Sequence, residues 1–127
     1  MKVLLDTHTF IWWDSEPSKL SPLALRLCQD PATVLLFSVA SAWKIQIKLQ
    51  LGKLNLNLPL ADIIRQQQIN GINILSVTLN HVLTLQNLPT PHKDPFDRLL
   101  VVQAIVEGAI LLSVNFIFSQ YPVSVLW

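Results

Sequence analysis

Cysteine, glycine, histidine and charge are all scarce in this chain of 127 residues, and each scarcity removes a class of function. The single cysteine, Cys28, leaves no disulfide framework and no paired-cysteine metal site, so a reducing cytoplasm is the expected setting. Three glycines cannot build a glycine-rich phosphate loop, and there is no GxSxG nucleophile elbow. The three histidines, His8, His81 and His92, lack metal-ligand spacing and read as surface or turn residues. No apolar run is long enough for a membrane span. The most apolar window, Leu99 to Val114, carries Gln103 and Glu107 and is broken by Gly108. Asp6 interrupts the first apolar run before a signal-peptide core can form. An acidic pair after the first strand, which a receiver domain needs, is also missing.

What is present is apolar. Hydrophobic residues make up 51% of the chain and charged residues 13%, which fits one domain, residues 1–127, with a large core and apolar surface left for a partner. The net charge of +1 excludes a globally basic nucleic-acid binder. Charge is nevertheless uneven, because Lys44, Lys48 and Lys53 fall in a stretch from Val39 to Leu60 without one acid. Such a strip can meet phosphates, and it can equally be a solvated helix face.

The segment HKDPFDRLLVVQA organises the remainder. Asp94 caps a helix, Pro95 suits its first position, and Gly108 stops it. Short unalternating apolar runs (Lys2 to Asp6, Thr33 to Phe37, Ile72 to Leu75, Ala109 to Ser113) alternate with helical stretches. That pattern predicts an α/β fold with a mostly parallel sheet covered on both faces, and an edge strand at Val123 to Trp127. Helices are expected from Thr9, after Ser21-Pro22, from Ser38 to about Gln50, from Pro59 to about Gln68 and over Leu79 to Leu88. Trp12 and Trp13 read as core or partner interface more than as base-stacking residues, and Trp43 reads as core. In parallel folds the site lies beyond the carboxyl ends of the strands. Asp6, Ser38 and Asn115 stand there, and Asp97, one turn into a helix, can reach the same crevice. Two carboxylates converging from distant segments suggest a site for a hard divalent cation acting on a phosphodiester.

Four motifs in order (LLDTHTFIWW, SxxSAWxIxIKxxxGKL, HKDPFDRLLVVQA and LLSVNxxFxxYPV) make the chain resemble the PIN-domain nucleases, and within them the VapC-type toxins of toxin–antitoxin pairs. The resemblance implies a PIN-like three-layer α/β/α sandwich and an Mg²⁺- or Mn²⁺-dependent endoribonuclease. It also implies an antitoxin partner and a homodimer. Carried over by position, Asp6 and Asp97 are the metal-binding acids and Asp94 an additional catalytic acid. Lys44 and Asn115 stand at two positions where the family has acids. Lys48, Lys53, Ser38 and Arg98 are the candidate RNA contacts. A lysine charge about 5 Å from a divalent ion repels it by roughly 7 kcal/mol at an effective dielectric of about 20. Two readings therefore stand side by side. One is a metal-dependent endoribonuclease toxin weakened by Lys44 and Asn115, and the other a degenerate module that binds RNA or an antitoxin without cutting.

Overall fold

The computed structural model describes residues 1–127. Five parallel strands, β1 (Lys2–Leu5), β2 (Val34–Ser38), β3 (Asn73–Leu75), β4 (Ile110–Leu112) and β5 (Val125–Leu126), form one sheet in the order β3-β2-β1-β4-β5. Every pairing is parallel, as unalternating apolar strands require. The six α-helices are α1 (Thr7–Ser15), α2 (Pro22–Gln29), α3 (Val39–Gln50), α4 (Leu60–Ile69), α5 (Leu79–Thr84) and α6 (Pro95–Glu107).

The pleat of β1 divides the core in two. Val3 and Leu5 point to one face and join Phe10, Phe37, Ile45 and Ile63 beneath α1 to α4. Leu4 points to the other face and joins Leu100, Val101, Ala104 and Phe118 beneath α6. The result is a three-layer α/β/α sandwich, with Phe10 stacked on Phe37 at 3.8 Å between ring centres. No helix is long and apolar enough to cross a membrane.

Local signals read from the sequence account for most boundaries. Ser21, Ser38 and Asp94 accept hydrogen bonds from the first-turn backbones of α2, α3 and α6, and Gly108 ends α6 at a φ of 64°, where only glycine is unstrained. Three boundaries differ, one being the edge strand, which spans only Val125–Leu126 of the expected Val123 to Trp127. The first helix starts at Thr7, because Asp6 leaves the strand as its cap instead of ending the strand as a free carboxylate. The stretch after Leu79 is α-helical only to Thr84 and tightens into a 3-10 turn over Leu85–Asn87.

Candidate carboxylate site

At the carboxyl end of the sheet, β1 delivers Asp6, β2 delivers Ser38 and β4 delivers Ser113. Asp6 is only 5% exposed and both of its oxygens are engaged. Its Oδ1 accepts the Thr9 N–H at 2.8 Å, and its Oδ2 accepts the Ser113 hydroxyl. Ser113 in turn accepts the Asn115 N–H at 3.0 Å, so Asn115 is linked to Asp6 through one hydroxyl. The amide oxygen of Asn115 points to its own backbone, where it caps the 3-10 turn Phe116–Gln120 through Ile117 N–H at 3.2 Å.

The second group of charges belongs to α3 and α6. Lys44 Nζ lies 3.5 Å from Asp94 Oδ2 and 3.8 Å from Asp97 Oδ1. Asp94 spends its other oxygen capping α6, accepting Phe96 N–H at 2.9 Å and Asp97 N–H at 3.2 Å. Asp97 Oδ2 is 3.2 Å from His92 Nε2, and His92 Nδ1 is 2.6 Å from the Tyr121 hydroxyl. The two acids share one lysine yet shift in opposite directions. Burial pushes the Asp97 carboxyl above its ordinary range, and Lys44 and His92 only partly offset this. For Asp94 burial is outweighed by the Asp97 N–H, Lys44 and the Phe96 N–H, which hold it below that range. The two backbone N–H groups that Asp94 accepts, together with its greater exposure (34% against 14% for the Asp97 side chain), account for the difference.

His8 stands exposed at the mouth. Its imidazole is shifted down, first by desolvation, with Asp6 opposing and Lys48 and Lys44 adding to the shift. It therefore senses the fields of both groups, although no hydrogen bond or ion pair joins Asp6 to the Lys44 cluster.

Several expected roles change. Ser38 is fully buried, capping α3 and donating to Gln103 Oε1, so it is a structural residue and not an RNA contact. Arg98 spends its guanidinium on the Pro89 carbonyl at 2.7 Å and the Tyr121 hydroxyl at 3.5 Å, which fixes the loop before α6. Lys48 is half-buried and Lys53 exposed, and neither forms an ion pair within the chain. Trp43 is 63% exposed, packing edge-on to Phe96 at 5.2 Å, and does not belong to the core. Trp12 and Trp13 are half-buried against the core, and Trp12 also meets Trp127 at 5.9 Å. His81 is buried, in a capping box with Thr78 and 3.1 Å from Glu107, and not at the surface. Ser113, His92 and Tyr121 enter the site unannounced. All three lie within the quoted motifs, but an uncharged or turn-like residue gives no signal of its own.

A divalent ion needs converging oxygen or nitrogen ligands, usually three or more from protein and solvent together. No group of three or more histidine, cysteine or acidic side chains is arranged to hold one. Asp6 already has two internal donors, and the space against Asp94 and Asp97 is taken by an ammonium. As arranged, these residues do not fit a divalent metal.

Comparison with known proteins gives the family. The PIN domain model matches residues 3–123. Ribonuclease VapC22 of Mycobacterium tuberculosis is 29% identical over 107 residues, covering 84% of this chain and 81% of that protein. The crystal structure of VapBC2 from Rickettsia felis, bound to a DNA fragment from their promoter, superposes with a TM-score of 0.72 at 15% identity, covering 99% of this chain and 98% of that one. VapBC-1 from nontypeable Haemophilus influenzae gives a TM-score of 0.61 at 21% identity, covering 94% and 91%. With the family model spanning nearly its whole length, the chain belongs to the PIN-domain family.

Proposed function

We propose that this PIN domain is the toxin-type member of a VapC-like toxin–antitoxin pair that engages RNA and an antitoxin but cuts RNA slowly or not at all. The pairing reading is supported by the VapC22 relative and by two VapBC structures among its structural neighbours. One observation carries the loss of cutting: the Lys44 ammonium lies against Asp94 and Asp97, where the resemblance calls for Mg²⁺ or Mn²⁺. Its charge repels a cation, and Asn115 supplies no compensating carboxylate. The chain's own residues then have binding roles. Lys48 and Lys53, with His8 at the mouth, face phosphates. Ser113 and Thr9 hold Asp6, and His92, itself braced by the Tyr121 hydroxyl, holds Asp97.

A second reading is favoured by the same contacts. At 3.5 and 3.8 Å they are long for charge-assisted hydrogen bonds, which fall at about 2.7–2.9 Å. A lysine that swings outward on its stem would free both acids for a metal-dependent endoribonuclease. Fluorescence anisotropy and cleavage of a labelled single-stranded RNA, with and without Mn²⁺, separate the two. The expected result is binding without appreciable cleavage, and multiple-turnover Mn²⁺-dependent cleavage by the unmodified chain overturns it.

Association with a second copy is part of the proposal. Leu79, Val82 and Leu83 are all exposed on one face of α5, an apolar stripe of the kind that subunit contacts cover. Sedimentation is expected to show a dimer, and a clean monomer at high micromolar concentration counts against it.

A further inference from the structure

The two groups of the carboxylate site share no hydrogen bond or ion pair, yet one short segment reaches both. It runs from Ser113 to Tyr121, past β4 and through the 3-10 turn Phe116–Gln120. At its start the Ser113 hydroxyl holds Asp6, and at its end the Tyr121 hydroxyl meets His92, which holds Asp97. Tyr121 is a firm anchor, only 4% exposed and part of the core beneath α6.

What Tyr121 anchors has few holds of its own. From Pro89 to Lys93 the chain makes no hydrogen bond between main-chain groups, and its two prolines have no N–H to offer. Two side chains hold this stretch. Arg98 donates to the Pro89 carbonyl at 2.7 Å. The Tyr121 hydroxyl oxygen is 2.6 Å from His92 Nδ1 and 3.5 Å from the His92 carbonyl oxygen, and Arg98 Nη1 lies 3.5 Å from it as well.

The two ends of this run of contacts fix the direction of every proton in it. A guanidinium only donates, and an ionised carboxylate only accepts. Asp97 Oδ2, 3.2 Å from His92 Nε2, therefore takes an N–H from that nitrogen. Arg98 donates to the Tyr121 oxygen, whose single proton goes to the nearer acceptor, Nδ1, and not to the carbonyl. The hydrogen bonds run one way, from Arg98 to Tyr121 to His92 to Asp97. With Oδ2 pinned, the plane of the Asp97 carboxylate is set and Oδ1 is left facing Lys44 at 3.8 Å.

We propose that Tyr121 is a positioning residue of the carboxylate site. Acting through His92, it aims Asp97 Oδ1 into the crevice and sets its place relative to Asp6, which the other end of the same segment holds. The role rests on Asp97 belonging to the functional site proposed above, and not on whether RNA is cut.

Long-range ¹H–¹⁵N correlation on the full chain, labelled at histidine and tyrosine, tests this without any substitution. The expected signature is a His92 ring with its proton on Nε2, and a slowly exchanging Tyr121 hydroxyl proton coupled to Nδ1. Tyr121→Phe should abolish that coupling and move the Asp97 carboxyl ¹³C signal. It should also let N-hydroxysuccinimide acetate modify Lys44 about fivefold faster, the equivalent of one hydrogen bond. His92→Gln keeps an amide N–H where Nε2 stood and should retain the Asp97 signal and the slow Lys44 reaction. His92→Asn, which keeps a polar group only at the Nδ1 end, should lose both. A merely structural Tyr121 would not separate glutamine from asparagine at this position. Protons on both ring nitrogens, an Asp97 signal unmoved by Tyr121→Phe, or equal behaviour of the two His92 variants overturns the proposal. RNA anisotropy on the same samples keeps the two claims apart. The His92 signature in a chain with no affinity for RNA upholds the positioning role and sinks the function proposed above.

Discussion

Replacing Lys44→Glu together with Asn115→Asp reverses the charge that organises the site. At 3.5 and 3.8 Å, the attraction of Lys44 to Asp94 and Asp97 is about 4–5 kcal/mol each at an effective dielectric of about 20. Most of that is cancelled by desolvation, and the share of Asp94, a third exposed, is further screened. Breaking a partly buried cluster of this kind costs about 2–3 kcal/mol, and crowding new acids against the old adds to it. For a chain of 127 residues this corresponds to a fall in Tm of roughly 10 °C. Asn115→Asp alone should cost little, since aspartate caps the turn at Phe116 as well as asparagine does. An ion that binds only the folded double variant restores about 2.7 kcal/mol at 100 times its Kd, enough to recover most of the loss. The assay is a melting series on both proteins with and without Mn²⁺. The expected pattern is a low apo Tm rescued by Mn²⁺ in the variant, and a Tm indifferent to Mn²⁺ in the unmodified chain. An apo variant as stable as the parent, or an equal Mn²⁺ response in both, refutes the charge argument.

Four further outcomes follow, two from the same contacts and two from the core. Asp94→Asn keeps the α6 cap but loses the pair with Lys44, so Tm at neutral pH should fall. The depressed Asp94 carboxyl contributes stability above its unfolded pKa that is lost as pH falls through its folded value, so parent and variant should converge in acid. Asp97→Asn should do the reverse, gaining stability at neutral pH, because burial raises that carboxyl and makes its ionisation a cost that opens as pH rises through the carboxylate range. Burial pushes the Cys28 thiol up to about 11, so a thiol reagent at pH 8 should leave the native protein untouched and react at once in urea. Phe10→Ala, on the buried face of α1, should cost about 3–5 kcal/mol, whereas Trp43→Ala should cost about 1 kcal/mol or less, read from urea midpoints.

Trp43 shows why part of the molecule was not legible in the sequence. The helix α3 carries apolar residues around most of its circumference, and Ile45, two positions on and roughly opposite, is buried with Ala40 and Ser41. A pattern with little amphipathicity cannot choose a face, and the larger side chain was the wrong guide. The strands were legible because buried parallel strands are continuous apolar runs, and α6 because Asp94, Pro95 and Gly108 each have one conformational use. The placement of Asp6 just past a strand, and of Asp94 and Asp97 at the start of α6, was visible in the sequence. Their partners were not, because what Ser113 or His92 touches is decided by contacts across 107 residues in one case and by a turn in the other. The role expected of Ser38 failed for the same reason. Its hydroxyl is spent on Gln103, which nothing near either residue in the sequence announces.

On the function proposed, Lys44 stands where a divalent ion would have to bind, and Mn²⁺ binding to the unmodified chain tests this most directly. Titrating Mn²⁺ into the protein and following the free-ion signal by electron paramagnetic resonance should show essentially all of the ion free at concentrations up to about a millimolar. Stoichiometric loss of the signal at micromolar Mn²⁺, abolished by Asp97→Asn, would contradict the account and put Lys44 outside the site.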